Sequence, residues 1–86
     1  MNINDLIAII KKKLQNNIVI ENIIVEDKSF LHKNHKENVK GKYHIKLLIT
    51  SKELKTLNRI QSNKKIYKIL EKELKSDIHS IQILIS

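Results

Sequence analysis

Between Tyr43 and Ile85 the spacing of apolar residues switches from period two to helical and back, which constrains the fold more than any other feature of the chain. Ile45, Leu47 and Ile49 alternate as in a strand with one buried face, with His44, Lys46, Leu48 and Thr50 on the other. Ser51 can cap a short turn with Glu53 or Leu54 behind it. Leu57, Ile60, Ile66, Tyr67, Ile69, Leu70 and Leu74 then carry a long helical pattern to about Ser76, with a break expected near Asn63. The final strand spans Ile78 to Ile85. Alternation would place His79, Ile81, Ile83 and Ile85 on one face and Ile78, Ser80, Gln82 and Leu84 on the other. A strand, helix, strand order within one sheet is almost always a right-handed crossover, so these two strands should run parallel.

The first half completes the pattern. Ile3, Leu6, Ile7, Ile10 and Leu14 share one helical face, with Asn2 or Asn4 available as a cap, predicting a helix from Ile3 to about Asn16. Residues 18–25 are rich in β-branched side chains and read as a strand, with Ile23 and Val25 on one face and Asp27 and Ser29 starting a polar exit. The stretch FLHKNHKENVKGK, Phe30 to Lys42, is longer than a tight hairpin needs and reads as a loop. It joins an antiparallel pair. The expected fold is α+β in α-β-β-α-β order, a single domain over residues 1–86 with a three-stranded mixed sheet and helices packed on one face.

Composition narrows the function. With no cysteine there is neither a disulfide framework nor a thiol nucleophile, and any thiolate bound to a metal must come from another molecule. No nucleophile elbow or glycine-rich turn supports acyl or phosphoryl chemistry, so the chain is read as non-enzymatic. Glu71 and Glu73 lie among lysines, where solvated ion pairing is expected. The N-terminal apolar run is too short for a membrane span, which makes the cytoplasm the default compartment. A net charge of +8 brings nucleic acid into consideration. The lysines are nevertheless scattered, and arginine, the usual bidentate reader of bases and phosphates, occurs only at Arg59.

Four histidines remain. His32 and His35 have a spacing that lets both rings reach one metal from a loop, although two solvated loop histidines have the same pattern. His44 reads as structural or merely exposed. For His79 the plain alternative is a buried neutral ring satisfied by a carbonyl.

The ordered blocks VEDKSFLHKNH (Val25 to His35), YHIKLLITSKEL (Tyr43 to Leu54), KIYKILEKEL (Lys65 to Leu74) and DIHSIQI (Asp77 to Ile83) resemble those of the BolA family. Asp27, Ser29 and His32 fit its Asp-x-Ser-x-x-His pattern, His44 and Ser51 its second strand, and His79 its C-terminal histidine. Ser80 stands where the family usually has alanine, Thr56 where it often has glycine, and Ser62, Asn63 and Lys64 replace a more typical Arg-His-Arg run. The resemblance implies a class II KH-like fold and a monothiol glutaredoxin partner. It further implies a shared two-iron, two-sulfur cluster with His79 and either His32 or His35 as ligands, sulfur coming from the partner's cysteine and glutathione. Iron–sulfur clusters accept imidazole on one iron while thiolates hold the other. Iron or iron–sulfur trafficking or sensing follows as the expected role, with a monomer or weak homodimer when alone.

The competing reading is a DNA-binding regulator with Arg59, Lys64, Lys65 and Lys68 at phosphates. Nucleic-acid binding in the KH manner needs a Gly-x-x-Gly loop, and Gly41, the only glycine, is not in that context.

Overall fold

Helix α1, Ile3–Asn17, begins where the Asn2 side chain accepts the Asp5 backbone N–H at 2.8 Å. Its buried face is Leu6, Ile10 and Leu14, one turn apart. The computed structural model describes residues 2–29 and 42–86. Strands β1 (Asn22–Asp27), β2 (Tyr43–Thr50) and β3 (Ile78–Ile85) form one sheet in the order β1-β2-β3. β1 and β2 are antiparallel, β2 and β3 parallel, as the order of elements requires.

β1 starts later than the β-branched run suggests. Thr50 is the last residue of β2 and pairs with Asn22, so residues 18–21 lie past the end of their partner strand. They are held by other bonds: Ser51 Oγ donates to the Val19 carbonyl at 2.8 Å, and the Glu21 N–H donates to the Thr50 carbonyl at 2.9 Å.

Ser51 is fully buried and also accepts the Leu54 N–H at 3.1 Å, capping the single turn α2, Lys52–Lys55. One hydroxyl thus closes a helix start and ties the strand exit to the chain after α1. Ser51→Ala should cost about 1–2 kcal/mol in urea unfolding, as expected for a lost cap together with the lost bond to the Val19 carbonyl; an unchanged midpoint would mean that water replaces both bonds.

The long helical pattern divides into α3, Arg59–Ile69, and α4, Glu71–Ser76. The break falls at Leu70, where ψ is 16°, not near Asn63. Asn58 and Gln61 form a capping box, with Asn58 Oδ1 accepting the Gln61 N–H and Gln61 Oε1 accepting the Asn58 N–H. Ser62, which is buried, turns its hydroxyl back to the Asn58 and Arg59 carbonyls. The polar run around Asn63 is therefore the first turns of a helix and not an interruption.

Ile45, Leu47 and Ile49 of β2 meet Leu6, Ile10, Leu14, Leu54, Ile66 and Leu70 in a core made of aliphatic residues. The described helices all supply that one face. Glu73 is the exception among the charged residues described: it is 4% exposed, with both carboxylate oxygens bonded to Lys13 Nζ at 2.9 and 2.7 Å. It is not the solvated group its lysine-rich surroundings suggest, whereas Glu71 does pair with Lys75 at the surface.

Candidate functional site

At the entry to β3, Tyr43 lies opposite Ile78 but His44 lies opposite Ser80, so β3 carries one extra residue, His79. Such a bulge interrupts alternation. Ile78 and Ile81 both face the core side, and Ile78 is 2% exposed. His79 consequently does not head the row of isoleucines; it is exposed and its ring meets that of His44 edge to face, centroids 4.8 Å apart. The plain alternative of a buried, carbonyl-satisfied ring at residue 79 is thereby overturned.

His44 sits on the sheet face away from the helices, yet only 6% of it is exposed. Its Nδ1 is 2.6 Å from Ser80 Oγ, directly across the parallel pair. Its backbone N–H donates to Ser29 Oγ at 3.0 Å, and its carbonyl accepts the Lys28 N–H at 2.7 Å. Asp27 Oδ1 in turn accepts the Ser29 N–H at 2.9 Å, a side-chain turn that sets the serine in place. Asp27, Ser29, His44 and Ser80 thus build a fixed support beside the exposed ring of His79.

Ser29 and Lys42 bound the residues outside the description, and Tyr43 N–H bonds to the Asp77 carbonyl at 2.9 Å. Ser29, bonded to the His44 N–H, and Lys42, next to Tyr43, therefore flank the His44 and His79 pair. His32 and His35 lie outside the described residues. Among the described residues no three His, Cys, Asp or Glu side chains form a group able to hold a metal ion. A metal at His79 would need donors from elsewhere. An accessible imidazole is a donor type that an iron–sulfur cluster accepts, so the chemistry of His79 fits that group.

The cationic candidates divide. Arg59, Lys64 and Lys68 are exposed on α3, with no carboxylate partner among the described residues. Lys65 is instead engaged by Glu53 at 3.1 Å, between α3 and α2. The hydrogen bond from Lys65 holds the Glu53 carboxyl below the usual carboxylate range, aided by the Val19 N–H. Because the folded value is the lower one, this contribution is present above the unfolded carboxylate range and fades as pH falls through the folded value.

Sequence reasoning missed the role of Ser80. Its departure from the usual alanine was the available signal: the hydroxyl is what bonds the His44 ring.

These features define a small α+β domain, with helices on one face of a three-stranded mixed sheet and two histidines meeting at one end of the other. Residues 14–86 match the family model described as BolA-like protein, and the chain belongs to the BolA family. It is 28% identical over 75 residues, 87% of this chain and 70% of the relative, to the DNA-binding transcriptional regulator BolA of Haemophilus influenzae. Among solved structures it is similar to the BolA domain of SufE1 from Arabidopsis thaliana, with a TM-score of 0.78, 26% identity and coverage of 100% of this chain and 93% of that one. BolA1 from the same plant has a TM-score of 0.77 at 24% identity, covering 92% of this chain and 87% of that one, which supports the fold. No helix among the described residues is long and apolar enough to cross a membrane.

Proposed function

We propose that this chain is a non-enzymatic adaptor that binds a monothiol glutaredoxin and co-ligates a shared two-iron, two-sulfur cluster, acting in iron or iron–sulfur trafficking or sensing. The observation that supports this most is the exposed ring of His79, pushed out by the bulge at the sheet end that also holds Ser29 and Lys42, the residues between which His32 and His35 lie in the sequence. His79 and one of those two histidines would be this chain's ligands, while the partner's cysteine and glutathione supply sulfur. The cluster, when bound, provides a labile iron site whose imidazole ligands make retention sensitive to pH. The chain's own part is to hold its rings ready: Ser80 fixes His44, and His44 packs against His79, limiting the orientations available to it.

Mixing the purified chain with a cluster-loaded monothiol glutaredoxin should change the visible absorption and circular dichroism, and His79→Ala should remove most of that change. An unaltered spectrum with wild type, or a His79→Ala protein that behaves like it, would reject the reading.

A second reading, a DNA-binding regulator, is favoured by the name of the Haemophilus relative and by the exposed Arg59, Lys64 and Lys68. Three phosphate contacts would give a slope of roughly −2.7 for the logarithm of affinity against that of salt. A flat salt dependence, or no binding to duplex DNA at physiological salt, would set it aside.

A further inference from the structure

We propose that the outer edge of β3 from Ile81 to Ile85, with the groove beside it, is a docking site for an extended acidic peptide segment that adds to the sheet as a fourth strand. The site extends away from the histidine pair: it begins at Ile81, two residues on from His79, and ends at Ile85, six residues on, about 20 Å at the usual rise per residue. Both ends of β3 can therefore be occupied by different molecules.

The backbone direction follows from the ladder. Ser86 N–H donates to the Ile49 carbonyl and the Ser86 carbonyl accepts the Ser51 N–H, so Ser86 points both groups at β2. Successive residues of a strand turn to opposite sides, so Ser80, Gln82 and Leu84 do the same. Ile81, Ile83 and Ile85 direct their N–H and C=O groups outward. Beyond them the described residues contain no further strand. This is a row of donor and acceptor pairs in the spacing that another peptide strand matches.

Edge strands are ordinarily guarded by charges, proline or bulges. β1, the other edge, carries Glu26 and Asp27. β3 reads IHSIQILI, with no charged residue and no proline, and its bulge blunts only the His79 end. The unguarded half is the half that borders the groove.

That groove, about 410 Å³, runs between β3 and the α2 to α3 connection. Leu54, Leu57, Ile83 and Ile85 give it apolar walls, and Lys55 and Arg59 stand on its rim. Both cations are exposed and neither has a carboxylate partner among the described residues. An occupant that brings aliphatic side chains and carboxylates satisfies walls and rim together. A second copy of this chain does so poorly, since β3 paired with itself brings no acid and sets two chains of charge +8 side by side. A nucleic-acid strand could meet the cations, but its phosphates only accept, and its bases do not offer a donor and an acceptor at every second residue of a strand as a peptide backbone does.

The test uses the full chain without cluster, isotope-labelled, with a synthetic peptide of alternating Glu and Val, its Lys and Val counterpart, and single-stranded oligothymidine as probes. With the acidic peptide at ten times its Kd, amide exchange at Ile81, Ile83 and Ile85 should slow by about tenfold. Ser80, Gln82 and Leu84 already donate to β2 and should change much less. A Lys55→Glu, Arg59→Glu double variant should bind the acidic peptide about tenfold more weakly, as expected for two exposed ion pairs reversed. His79→Ala should bind it unchanged, which separates this site from the cluster reading. The proposal is overturned if the acidic peptide leaves the three isoleucine amides unprotected or binds no better than the Lys counterpart. It also falls if oligothymidine alone binds the groove, or if protection rises with protein concentration without peptide, the mark of a second copy.

Discussion

Ile66→Ala should lower the unfolding free energy by about 2–5 kcal/mol, and Ile60→Ala on the same helix should leave it within about 0.5 kcal/mol of wild type. The two residues are chemically identical and share α3, so any gain in helix propensity from alanine is common to both. They differ in burial: Ile66 is 0% exposed in the aliphatic core, Ile60 67% exposed. A domain of this length holds roughly 4–13 kcal/mol in all, so the first change removes a large share of it. Equal costs in urea unfolding would show that α3 does not present the face assigned to it.

Lys13→Met should be the next most damaging change, at about 2–3 kcal/mol, because it leaves the Glu73 carboxylate in the interior without its cation. Lys13 reaches from α1 to α4 and meets both oxygens of a residue that is 4% exposed. Removing both partners together, Lys13→Met with Glu73→Leu, should recover most of the loss, since no desolvated charge then remains. A single variant as stable as wild type would mean that water reaches Glu73 and that the pair contributes little.

Several elements were legible because their causes are local. The α1 face and its Asn2 cap, the Ser51 cap and the limits of β2 and β3 follow from side-chain spacing and from hydrogen bonds that span three or four residues. The capping box at Asn58 and Gln61 was equally local, and reading it would have placed the helix break beyond Asn63. In the site, the accessible ring at residue 79 was expected from the family resemblance, while strand alternation alone assigned it to the wrong face.

By itself, then, the order of helical and alternating periods determined which elements exist and, through the handedness of crossovers, how the three strands are arranged. Only the tertiary structure decided the bulge that swings His79 away from the isoleucines, the meeting of Ser80 with His44, and the burial of Glu73 beneath Lys13. Each of these depends on a partner tens of residues away, and the register or packing that brings such groups together is set by the whole core and not by neighbours in the chain.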